Sequence, residues 1–307
     1  MCIDKNMLYG AEIMKKISIQ MLSIIAGVSA FLSLALRIVC MFFFYDDIGY
    51  YKSGAVLPII ANIIFGVSIA FFLFASIFCI DKKQRVMPTS KASQYAALLP
   101  MGALIFHVIR IFTTVFNDTN VNKYLLAISA LVSAAFFLFI FLAKKKYATA
   151  IVYLGIGVFA YLFLAWMFVY FDFFIPINST DKTFFYLACA GAIIFVFNEM
   201  AASYGAVRSR FYYFSLFASI IALSTATVSA IVGYAFGIFK AYITLEFDLF
   251  FLALLVYAVT RLIDAQKSTV IIEGVSDKAV MNTENDENAE SIENTDENQE
   301  TVDDDSE

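Results

Sequence analysis

Residues 121–146 read VNKYLLAISALVSAAFFLFIFLAKKK. From Val121 to Ala143 the only charge is Lys123, and Lys144-Lys145-Lys146 then closes the run. A helix rises about 1.5 Å per residue, so a hydrocarbon core of ~30 Å needs about 20 apolar residues, and this run supplies them. An apolar helix stopped by three lysines is a membrane span whose basic end stays in the cytoplasm.

Outward from this stretch the same unit recurs along the chain. The predicted spans are Ile17–Tyr45, Val56–Ile80, Tyr95–Phe116, Val121–Ala143, Tyr147–Phe171, Thr183–Tyr204, Phe211–Ala235 and Leu245–Asp264. The eighth carries Glu246 and Asp248 in its first turn, where acids suit the helix dipole. The fold class is therefore an all-α polytopic membrane protein, eight spans arranged as four out-and-back hairpins. Composition agrees. At 61% hydrophobic and 15% charged, with mean hydropathy +0.79, the chain departs from soluble domains, which run nearer ~45–50% and ~25%. A secretory signal peptide is not expected at the N-terminus, because the first apolar run far exceeds a signal core of ~7–15 residues.

Lysine and arginine fall on alternate sides of these spans. One side collects fifteen of the 21, including Lys82, Lys83, Lys144, Arg208 and Lys267. The other holds Lys52, Lys123, Lys182 and Lys240, which leaves Arg37 and Arg110 within spans. Both termini are expected in the cytoplasm, with the plasma membrane as the location. The domain reading is residues 1–16 as an N-terminal segment, 17–264 as the membrane domain and 265–307 as a tail. The tail holds fourteen acids and two lysines, so the low pI reports the tail while the rest of the chain is basic. Repeats such as Thr283-Glu284-Asn285-Asp286-Glu287-Asn288 bury too little to offset their chain entropy, and the tail is expected to be disordered. It is a candidate contact for a protein partner, though a passive solvated tail is the plainer reading.

The first two hairpins share text. Leu36-Arg37-Ile38 parallels Ile109-Arg110-Ile111, and Ala70-Phe71-Phe72-Leu73-Phe74 parallels Ala135-Phe136-Phe137-Leu138-Phe139. Duplication of a two-helix unit explains this; so does chance resemblance between Phe-rich membrane helices. On the seventh span Ala218, Ala222, Thr225, Ala226, Ser229, Ala230 and Gly233 form a small-residue face, which predicts a central, lipid-poor helix. No proline stands at mid-depth in any span, so broken helices of the transporter type are not expected.

Ionisable groups inside spans are the functional candidates, since each costs at least ~2.5–3.5 kcal/mol at the bilayer centre on insertion scales. Arg37 and Arg110 lie in the outer part of their helices, where anchoring to Asp46, Asp47 or Asp118 is the expected role. His107 is one turn from Arg110 and is the only histidine in the chain, which excludes metal sites that need two. The alternative for these three is a polar or anionic ligand held between cation and imidazole. Asn198-Glu199, near the inner end of the sixth span, reads as a boundary salt bridge with Arg208 or Arg210, or as a proton or cation carrier if buried deeper. Asn62 interrupts the small face Asn62, Gly66, Ala70 of the second span.

No GxSxG, HExxH, Walker A, GxGxxG or CxxC pattern occurs, so no catalytic residue, cofactor or metal is expected. The bilayer is the expected partner, and nucleic acid is not. Two non-enzymatic readings stand: a permease-like carrier of a small solute, and a membrane scaffold, sensor or subunit of a larger complex. An intramembrane enzyme ranks below both.

Overall fold

The computed structural model describes residues 19–46, 50–80, 90–114, 121–142, 147–171, 179–205, 209–238 and 245–266. The N-terminal segment, the acidic tail, Asp47, Asp118 and most of the basic loops lie outside these residues. The described chain is helical and contains no strand. The helices are α1 (Ile19–Phe44), α2 (Val56–Cys79), α3 (Lys91–Ala96), α4 (Leu98–Thr114), α5 (Val121–Leu142), α6 (Ala148–Tyr170), α7 (Thr180–Ser203), α8 (Ser209–Leu223), α9 (Ser229–Ala235) and α10 (residues 245–266). A π-helical turn, Ser224–Val228, joins α8 to α9. Seven helical segments are long and apolar enough to cross a membrane, with α3–α4 and α8–α9 each counting as one. Helix α10 occupies the place of the eighth predicted span and, at about 1.5 Å per residue, reaches ~33 Å.

Helix α1 sorts its residues by size rather than by polarity alone. It buries Ser23, Ala26, Ala30, Ser33 and Arg37 and exposes Ile24, Val28, Phe31 and Phe43, with Phe31 72% exposed. A water-facing surface of that kind would be a large exposed apolar patch, whereas lipid tails accept it. Between helices in lipid the hydrophobic effect gives little, and association rests on close packing and interhelical hydrogen bonds. Gly191 shows the closeness: a Cβ there would meet the Ala222 Cβ at 3.3 Å, and Ser219 Oγ donates across the same crossing to the Gly191 carbonyl at 2.8 Å.

Helix α8 packs on α1, α2 and α7, and the π-helical turn packs on α1 and α7. The Ser209–Ala235 segment is 78% buried, the highest share of the seven, in keeping with its small-residue face. Helix α10 is the second central element. Its Phe250 stacks on Phe137 of α5 and Tyr161 of α6, its Phe251 on Phe185 of α7 and its Tyr257 on Phe195 of α7. These edge-on aromatic contacts at 5.3–6.2 Å fill the space that small residues fill around α8.

Caps fix where the spans begin and end. Ser90 accepts from the Ser93 backbone N–H to start α3, so the third span begins before the predicted Tyr95. Ser179 does the same for α7 through the Lys182 N–H. Lys182, counted above as a loop charge, is 1% exposed, and its Nζ donates to the Tyr170 carbonyl at the C-terminus of α6. Between α1 and α2 Tyr45 and Tyr51 form an isolated antiparallel bridge, and Gly54, at φ +80°, turns the chain into α2.

Candidate functional site

Arg37 turns into the bundle. Its Nη2 donates to Asp181 Oδ1 at 2.7 Å, its Nε to Ser229 Oγ at 3.1 Å and its Nη1 to the Tyr51 hydroxyl at 3.4 Å. Its guanidinium carbon lies 3.7 Å from the centroid of the Phe184 ring. The Tyr45 hydroxyl donates to the same Asp181 oxygen at 3.0 Å. The acid that holds Arg37 is thus 144 residues away, in the first turn of α7, rather than the neighbouring Asp46. Burial raises the pKa of the Tyr51 hydroxyl, so Tyr51 remains a neutral phenol at physiological pH.

Arg110 takes the same kind of partner in a different setting. Its Nε donates to Glu246 Oε1 at 2.9 Å, again a carboxylate in the first turn of a helix, but the Arg110 side chain is 50% exposed. The two matching arginines thus share partner chemistry and differ in burial. His107 does not join them in a common pocket. Its Nδ1 lies 2.8 Å from the Tyr161 hydroxyl, and the Phe247 ring packs edge-on against it at 4.8 Å.

At the other end of the bundle Glu199 is 4% exposed and fully compensated. Oε1 accepts from the Tyr212 hydroxyl at 2.6 Å and from Arg261 Nε at 2.9 Å; Oε2 accepts from the Tyr257 hydroxyl at 2.8 Å. Arg261 Nη1 reaches Asp264 Oδ2 at 3.6 Å, and that oxygen accepts from Ser93 Oγ at 2.6 Å and the Ser90 N–H at 3.0 Å. The cluster ties α3, α7, α8 and α10 together. Its cation among the described residues is Arg261 of α10 and not Arg210, which bonds the Ile80 carbonyl; Arg208 lies outside the described residues. Asn198 donates only to the Ile194 carbonyl of its own helix at 2.9 Å. Asn62 is exposed on α2, as are Gly66 and Ala70, so that face looks away from the bundle.

Asp248 is the residue that sequence reasoning placed and did not single out. It is 3% exposed, and its Oδ2 is buried without a hydrogen-bond partner among the described residues. The charges that act on it are the carboxylates of Asp181 and Glu246, whose own arginines are already engaged. A signal was available. Two residues turn a helix by about 200°, so when Glu246 faces the rim Asp248 must face the interior. Thr225 and Thr227, in the π-helical turn, also carry buried hydroxyls with no partner among the described residues. That turn is held by Ser/Thr back-bonding: Ser224 Oγ donates to the Ile221 carbonyl and Ser229 Oγ to the Thr225 carbonyl. It occurs without proline, and the span stays helical through it from Ser209 to Ala235.

Among the described residues no group of three or more His, Cys, Asp or Glu side chains is placed to hold a metal ion. The described cysteines, Cys40, Cys79 and Cys189, are unpaired thiols. No family model matches the chain, and comparison with curated proteins and with solved structures finds no similar protein.

Proposed function

We propose that this integral membrane protein is a non-enzymatic, permease-like carrier in which Asp248 takes up and releases a proton as a small solute crosses the membrane. The observation that carries the reading is the lone buried carboxyl of Asp248. Glu199, equally buried, has hydrogen bonds and an arginine for both oxygens; Asp248 Oδ2 has no hydrogen-bond partner among the described residues. A buried carboxylate without a donor is costly, so the group needs a proton or a cation. A single carboxyl serves a proton fully but offers one or two of the six to eight oxygens that a calcium ion takes. The π-helical turn of the seventh span, with two buried hydroxyls that have no partner among the described residues, supports a mobile seventh span. In this reading both termini face the cytoplasm and the carrier resides in the plasma membrane.

The second reading, a scaffold or subunit of a larger complex, draws on the closed contacts around Glu199, whose two carboxylate oxygens both accept hydrogen bonds. Reconstitution separates the two. Liposomes loaded with a pH-sensitive dye are offered a panel of small amphipathic solutes from outside. Solute-dependent acidification of the lumen is expected for the native protein and is lost in Asp248→Asn. Liposomes that respond no more than protein-free ones, with native and variant alike, leave the scaffold reading.

A further inference from the structure

Between the C-terminal part of α2 and the start of α8 lies an open crevice of about 570 Å³. Leu73, Ser76 and Ile77 line one side; Arg210, Phe211 and Phe214 line the other. Arg210 donates its Nε to the Ile80 carbonyl, just past the end of α2, at 2.8 Å. That bond fixes the plane of the guanidinium and leaves both Nη groups without a partner among the described residues. Ser76, on the facing wall, is 1% exposed, and its Oγ has no hydrogen-bond partner among the described residues. The crevice therefore offers an oriented cation with spare N–H donors and a buried hydroxyl. Ile77 and Phe211, both exposed, extend the same walls as apolar surface towards the lipid.

We infer that this crevice binds the phosphate of an anionic phospholipid from the adjoining leaflet, with Arg210 and Ser76 on the phosphate and an acyl chain along Ile77 and Phe211. A planar guanidinium presents paired N–H donors to two phosphate oxygens, a geometry that lysine lacks. Basic pockets between membrane helices on the cytoplasmic side suit acidic headgroups. The apolar walls select the lipid over a free phosphate, which would gain nothing from them. The inference is independent of proton movement at Asp248.

The test uses the full chain purified in a neutral maltoside detergent. Phosphatidylglycerol, phosphatidylcholine, diacylglycerol and inorganic phosphate are each titrated, with retention followed by native mass spectrometry and protection by thermal melting. One phosphatidylglycerol per chain is expected to be retained at least tenfold more tightly than diacylglycerol, and to raise the melting temperature. Arg210→Gln abolishes that preference, whereas Arg110→Gln, at the opposite end of the bundle, leaves it intact. Ser76→Ala removes a hydroxyl with no bond among the described residues, so folding is expected to be unchanged and phosphatidylglycerol retention to fall several-fold. If Arg210→Gln does not fold, the serine variant alone decides. Inorganic phosphate that protects as well as phosphatidylglycerol overturns the lipid assignment. Diacylglycerol binding as tightly as phosphatidylglycerol, or a Ser76→Ala protein with native retention, overturns the site.

Discussion

Glu199 and Asp248 are acids of the same bundle with opposite surroundings, and their variants should diverge. Glu199→Ala leaves Arg261 buried without its main carboxylate, and breaking a buried pair from one side costs about 3–5 kcal/mol. Thermal unfolding in detergent should show a large loss, and replacing both partners by methionine should recover much of it. Asp248→Asn removes a carboxyl whose Oδ2 accepts no hydrogen bond, so the melting temperature should hold or rise while any proton coupling is lost. A strong destabilisation would mean that the carboxyl is a structural partner after all. The sequence pointed to Arg37, His107 and Glu199 because an ionisable residue in an apolar run is visible without a fold. Their partners were not visible: Asp181 lies 144 residues from Arg37, and Arg261 lies 62 from Glu199. A nearby acid is the natural guess from text alone. Here tertiary packing overrides proximity along the chain.

At the scale of elements, the seventh span joins a tight crossing to a local irregularity. Its small residues predicted a central helix, since size and spacing are properties of the text. The π-helical turn depends on where Ser224 and Ser229 send their hydroxyls, a weak local choice that neighbouring helices decide. Deleting Thr227 should restore regular α-helical pairing and turn the following helix by about 100°. Ser229 would then leave Arg37, so the deletion and Ser229→Ala should be non-additive in a thermal double-mutant cycle. Additive losses would show that the turn does not serve to deliver Ser229. The α7–α8 crossing gives a second case. Gly191→Leu would drive a side chain into Ala222 and Ser219 and should cost several degrees of melting temperature, while the exposed Gly66→Leu should cost little, because a Cβ at Gly66 meets nothing within 4 Å.

For the whole molecule, the orientation rests on charge counts that the structure refines. Lys182 caps α6 from within the bundle and Arg261 belongs to the Glu199 cluster, so neither is a free loop charge. Without them the tally is still fourteen against three in favour of one side. The proposed topology takes helix α10 as the eighth crossing, an even number that would put both termini on one side of the membrane. Single cysteines placed in a cysteine-free background at Lys52, Asn120 and Lys240 should react with a membrane-impermeant maleimide in intact cells. Cysteines at Lys145 and Lys278 should react only after permeabilisation. Ser179 is a poor reporter position despite its place between spans, because it is 1% exposed. A reversed pattern would invert the protein without changing its fold. Labelling of Lys240 from the opposite side to Lys52 would instead remove a crossing between them, and with it the charge alternation on which the four-hairpin reading depends.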